Sequence, residues 1–132
     1  MRRLASIAVL SVCAVPAMAE NTEHQPTPVF SPGEKFEERT GEALYGAICQ
    51  DCHMADGKGA AGAGRYPALV ANPKLEAAGY PLTLVLHGHN GMPPVGRMMS
   101  DEQVAQVVNY VRTHFGNSYT DAVKPEDVKP LR

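Results

Sequence analysis

Cys49-Gln50-Asp51-Cys52-His53 limits what this chain can fold into more than any other feature of it. On a helical turn, residues three apart project from one face, so the two sulfurs meet one edge of whatever they hold, and the adjacent histidine can turn beneath it. The chain opens with Met1-Arg2-Arg3, runs apolar from Leu4 to Val15 and continues with Ala17-Met18-Ala19. These are the charged, hydrophobic and small-residue regions of a signal peptide cut after Ala19. That cut removes Cys13 and leaves Cys49 and Cys52 as the only thiols. An exported product then has no second pair for a disulfide framework, and both cysteines need one shared job.

The apolar run of the leader is shorter than the roughly 20 residues a membrane-spanning helix takes, and no later segment comes close, so no membrane span is expected. Leu10-Ser11-Val12-Cys13 could suggest a lipid anchor at Cys13, but a small residue is wanted before the cysteine and Val12 is not small. Arg2-Arg3 is what any positively charged leader contains. Removing those two arginines leaves ten Lys and Arg against fourteen Asp and Glu. The acidic excess sits in residues 20–38, while residues 39–116 balance six against six, so nothing resembles the clustered Lys and Arg that bind nucleic acid or anionic membrane.

Residues 20–38, with Pro26, Pro28 and Pro32 among polar neighbours, are expected to form a flexible arm, and residues 117–132, with Pro125 and Pro130, a flexible tail. The 78 residues between them are near the size at which a core needs a bound group to reach useful stability. Within 39–116 the pattern is helical. Gly41 to Cys52 places Leu44, Tyr45 and Ile48 on one face, and the four glycines and four alanines from Ala55 to Gly64 favour a close-packed loop. Asn72-Pro73 starts a short helix that Gly79 stops, and Pro81 opens another that halts at Gly88. Pro93-Pro94 forces extended backbone, which puts Met92 on a stiff loop. Ser100 and Gln103 form a capping box for a last helix lined by Val104, Val107, Val108 and Val111 and ended by Gly116.

C-x-x-C-H is the attachment signature of c-type haem, and it would arise by chance on the order of a few times per thousand chains of this length and composition. A thioredoxin-type redox pair needs a βαβ context that the pattern lacks, and a zinc site needs two more ligands at matching spacing. The cofactor expected is one covalent haem c on Cys49 and Cys52, its iron held by His53. The leader agrees, because it delivers the chain to the compartment where such attachment is expected.

Over roughly residues 41–116 the sequence resembles a class I cytochrome c. Gly41, Tyr45 and Cys49 match that family's glycine-x3-aromatic-x3-cysteine run, in which the small residue lets the first helix cross the last closely, with Tyr110 as the aromatic partner. Pro67-Ala68-Leu69 resembles the family's P-x-L turn, which implies that the Pro67 carbonyl orients His53 and that Leu69 presses on the haem. A class I cytochrome needs a downstream methionine as second iron ligand, and Met92, Met98 and Met99 are the candidates. Gly91-Met92-Pro93-Pro94 resembles the family's MP segment, which favours Met92, while Met98 and Met99 suit apolar filler. His87 and His89 are close enough in sequence to compete for the iron, or are ordinary surface histidines at a helix end, as His24 and His114 are taken to be. The resemblance implies an all-α fold of three to five helices packed around one haem.

Methionine opposite histidine raises the potential relative to two histidines and leaves no vacant axial site, which argues for single-electron transfer and against an enzyme. Small residues at Ala60, Ala61, Ala63, Pro93 and Pro94 would border the haem edge and form a small apolar docking surface. The Met-Pro-Pro and Ala-Asn-Pro-Lys stretches look like cytochrome subunits of bacterial periplasmic dehydrogenases. That implies a periplasmic monomer or small subunit, with a periplasmic dehydrogenase as donor and an oxidase or another cytochrome as acceptor. The alternative is a haem enzyme or gas sensor with an open or labile sixth ligand.

Overall fold

Thr40 starts the helical run that carries the cysteines, its hydroxyl accepting from the Ala43 amide at 3.2 Å. The computed structural model describes residues 35–62 and 64–132. The expected leader, Cys13, His24, residues 20–34 of the expected arm and Ala63 lie outside these residues. The run comprises α1 (Gly41–Leu44), a π-helical turn (Tyr45–Cys49) and α2 (Gln50–His53). At the π turn the Gln50 amide donates five residues back to the Tyr45 carbonyl, and the Gln50 side chain donates to the Gly46 carbonyl at 2.5 Å. One residue thus bonds the turn twice, through its backbone amide and its side chain.

α1 crosses the longest helix, α4 (Asp101–Thr113), where the residue types make it possible. A Cβ on Gly41 would lie 2.6 Å from the Tyr110 Cβ and nearer still to the Gln106 carbonyl oxygen, so only glycine permits this approach. Tyr45 and Tyr110 meet beside the crossing with ring centroids 5.6 Å apart. α4 begins at the expected capping box: the Ser100 hydroxyl accepts from the Gln103 amide at 3.2 Å and the Gln103 side chain from the Ser100 amide at 2.8 Å. Its valines, with Leu44 from α1 and Leu82 and Leu86 from α3 (Gly79–His87), form the core. α3 starts two residues before Pro81, which sits in the first turn where a missing amide costs nothing, and it ends at Gly88 as expected.

Several expectations need correction. The stretch from Ala55 to Gly64 is not all loop, since β1 (Ala60–Ala61) pairs antiparallel with β2 (Arg65–Tyr66) in a two-residue ladder. The helix expected from Asn72 to Gly79 is a 3₁₀ turn, Pro73–Leu75, capped by the Asn72 side chain. Arg112 takes the Leu75 and Glu76 carbonyls, each at 2.8 Å, so neither carbonyl is left to a longer helix there. α4 stops at Thr113, three residues short of Gly116, because side chains occupy its last carbonyls. Thr113 donates to the Asn109 carbonyl at 2.8 Å, His114 Nδ1 to that of Tyr110 at 2.9 Å and Asn117 to that of Val111 at 2.9 Å.

The largest difference is at the ends of the domain. Residues 117–132, expected to be a loose tail, pack on the core: Val128 is 0% exposed, and Val123 is buried against α4. Pro125 opens α5 (Pro125–Val128), with the Asp127 carboxylate accepting from the Lys124 amide at 2.9 Å. Asn109 brackets Val123 through its amide and carbonyl, both at 2.8 Å, and Arg132 donates to Asp101 at 2.6 Å. Prolines and charges in a segment do not prevent order when two valines have a place in a core. At the other boundary, Gln103 Nε2 donates to the carbonyls of Phe36 and Glu38, both at 2.8 Å, so the end of the expected arm is docked as well.

Candidate functional site

His53 is the last residue of α2 and the chain turns sharply after it. Met54 takes φ 65° and ψ 157°, a conformation that is nearly the preserve of glycine, and Gly88 adopts the same region at the end of α3. The turn is over-determined. The Met54 carbonyl accepts from the Tyr45 hydroxyl at 2.7 Å and from the Gly57 amide at 3.0 Å, and the His53 carbonyl accepts from the Gly59 amide at 3.0 Å. Burial pushes the Tyr45 phenol well above the usual tyrosine range, so it stays a donor at neutral pH.

This turn brings His53 to the loop that follows β2. His53 Nδ1 lies 2.8 Å from the Pro67 carbonyl oxygen. A carbonyl only accepts, so Nδ1 carries a proton, and in the neutral ring the lone pair is then on Nε2, the nitrogen that can bind a metal. The Pro67 loop is itself held: the Leu69 and Val70 amides donate to the Gly57 carbonyl at 2.7 and 3.2 Å. Leu69 is half-buried against the core.

Cys49 and Cys52 are half-buried, unpaired thiols. Burial, followed by the neighbouring Cys52 and Asp51, pushes the Cys49 thiol up to about 12. Among the described residues no three His, Cys, Asp or Glu side chains converge as a metal cluster. Two half-buried thiols three residues apart, an imidazole oriented through Nδ1, and Ile48, Leu69 and Met92 each half-buried at the edge of the core suit a flat macrocycle held by two thioether bonds, and so the donor set fits haem c.

Met92 lies on a closed turn, where the amides and carbonyls of His89 and Met92 bond each other at 2.9 and 3.0 Å. Gly88, at φ 71°, makes room for it, since a Cβ there would meet the Met92 carbonyl oxygen at 2.5 Å. Met99 is a core residue, 4% exposed, whereas Met98 is 38% exposed. His87 and His89 are exposed, and His114 stacks on Tyr110 with ring centroids 4.0 Å apart. Asn117 and Arg112, both buried around the site's loops, were not singled out from the sequence, because a lone polar residue past or within a helix gives no signal of its distant partners.

Residues 36–111 match the family model described as cytochrome C oxidase, cbb3-type, subunit III. The chain is also 35% identical over 107 residues to the fructose dehydrogenase cytochrome subunit of Gluconobacter japonicus, covering 70% of this chain and 22% of that one. It is 33% identical over 106 residues to the alcohol dehydrogenase (quinone) cytochrome c subunit of Gluconacetobacter polyoxogenes, with the same coverage. The gluconate 2-dehydrogenase cytochrome c subunit of Pantoea cypripedii is 31% identical over 112 residues, 71% of this chain and 24% of that one. The chain thus spans about a fifth to a quarter of the length of the curated relatives it matches. With a helical fold, two free thiols and an oriented imidazole already in place, the chain belongs to this cytochrome c family, a mostly helical domain that binds haem c covalently.

Proposed function

We propose that this is an exported single-electron carrier with a His53/Met92-ligated haem, taking electrons from a periplasmic dehydrogenase and passing them to an oxidase or another cytochrome. The observation that carries this reading is the 2.8 Å contact between His53 Nδ1 and the Pro67 carbonyl, one short turn after two unpaired thiols. It supports an imidazole held in one tautomer with Nε2 presented to iron. Bound haem supplies a one-electron ferric–ferrous couple. Cys49 and Cys52 hold it by thioether bonds, His53 is its nitrogen ligand, and the closed turn at Met92 presents a thioether from a stiff backbone. Leu69 and Ile48, half-buried against the core, would supply apolar surface beside it. His53 and Met92 together would hold the iron in both oxidation states with little rearrangement, which suits a carrier. The names of the relatives support a dehydrogenase as donor.

The test is to produce the chain in a host that attaches c-type haem. The haem should stay with the protein in acidified acetone, and the ferric spectrum should be low-spin with the far-red methionine-to-iron band. Met92→Ala should abolish that band while Met98→Ala keeps it, and a periplasmic dehydrogenase with its substrate should reduce the protein rapidly. Colourless protein or acetone-extractable haem refutes the attachment. A high-spin ferric spectrum with rapid carbon monoxide binding refutes the carrier role and points to a haem enzyme or gas sensor.

A further inference from the structure

We infer that Asn117 is a positioning residue for the His53 side of the haem site, tying the Pro67 loop to the end of α4. This rests on His53 being the iron ligand, as proposed above. Asn117 is 7% exposed and every polar atom of its side chain is used. Its Oδ1 accepts from the Asn72 amide at 2.9 Å, and its Nδ2 lies 2.9 Å from the carbonyls of Leu69, Val111 and His114. Leu69 and Asn72 belong to the loop that follows Pro67, whereas Val111 and His114 are at the C-terminal end of α4. Two N–H groups serve three carbonyls, so one proton is shared and no spare donor remains.

Gly57 accepts from Leu69 and Val70, and the Phe115 carbonyl from the Ala71 amide at 2.9 Å, between backbone atoms, and the Asn72 side chain donates to the Ala68 carbonyl at 2.9 Å within the loop itself. Asn117 adds a side-chain link from the loop to the end of α4, and an apolar replacement would leave a loop carbonyl and a loop amide without partners together. The Pro67 carbonyl, two residues before Leu69, holds the proton on His53 Nδ1. A well-placed acceptor there makes the imidazole a stronger electron donor and favours ferric iron. Loosening the loop weakens that bond, so the potential rises.

The experiment compares haem-loaded wild type, Asn117→Ala, Asn117→Ser and Asn109→Ala for midpoint potential and thermal stability. Asn109 is the matched control, because its two 2.8 Å side-chain bonds, made from within α4, go to Val123 and not to the Pro67 loop. Both Asn117 variants should raise the potential by at least a twofold change in the ferric-to-ferrous ratio, about 18 mV at roughly 59 mV per tenfold. Asn109→Ala should lower the melting temperature and leave the potential in place. The serine variant covers the case in which alanine prevents haem loading. An unchanged potential in a loaded Asn117 variant, or an equal shift in Asn109→Ala, overturns the inference. Loss of haem from both Asn117 variants alone also overturns it, in favour of a role in folding only. If unmutated protein shows no low-spin histidine-ligated iron, the ligand assignment itself has failed, and that result is visible before any variant is made.

Discussion

Gly41→Ala sets two effects of opposite sign against each other. Alanine in a helix is favoured over glycine by roughly 0.5–1 kcal/mol, so propensity alone has the variant more stable. At the α1–α4 crossing, however, the new methyl carbon would lie 2.6 Å from the Tyr110 Cβ and closer to the Gln106 carbonyl oxygen. Non-bonded carbons rest about 3.5–4.0 Å apart, so the helices must part by about 1 Å, against backbone that has no rotamer to yield. Overpacking of this kind costs about 1–3 kcal/mol, and the crossing also seats the Tyr45–Tyr110 pair. The net expectation is a loss of about 1–2 kcal/mol, or a melting temperature lower by about 4–16 °C in a domain of this size. Gly79→Ala provides the comparison, because Gly79 is also the first residue of its helix and a Cβ there meets nothing within 4 Å. It should be neutral or stabilising by up to about 1 kcal/mol. Thermal unfolding of the haem-loaded proteins by far-UV circular dichroism reads both. If Gly41→Ala melts at or above wild type, the close crossing is not what glycine is there for.

Arg112→Ala should cost about 3 kcal/mol or more, because it takes the donors from the carbonyls of Leu75, Glu76 and Asp121 at a side chain that is 0% exposed. Asp121→Ala should cost less than about 1 kcal/mol, since that carboxylate is 72% exposed and its pair with Arg112 is open to water on one side. Denaturant unfolding compares the two, and limited proteolysis should cut residues 117–132 first in Arg112→Ala. Tyr45→Phe removes the 2.7 Å bond to Met54 and should cost about 1 kcal/mol at neutral pH. The folded phenol ionises above its unfolded value of about 10, so unfolded chains lose the proton first. Wild-type stability should therefore fall as the pH passes about 10, and Tyr45→Phe should fall less over the same range; parallel slopes would rule out Tyr45 as the source.

The sequence by itself determined what acts over a few residues. The spacing of Cys49, Cys52 and His53, the capping box of Ser100 and Gln103 and the stop at Gly88 are all local chemistry, and they stand where the residues place them. Gly41 as the crossing point was legible too, but only through the resemblance of Gly41, Tyr45 and Cys49 to the class I cytochrome c run. Tertiary structure decided where buried polar groups find partners. Arg112 reaches Leu75 and Glu76, 37 and 36 residues away, and thereby replaces a helix by a turn. Asn117 reaches Asn72 and Leu69, 45 and 48 residues away, and fixes the loop beneath His53. Val123 and Val128 turn a proline-containing segment into part of the core. Short-range signals are read from backbone preference alone. A buried donor must instead be matched to whichever carbonyls chain closure brings beside it, and that pairing exists only once the helices have packed.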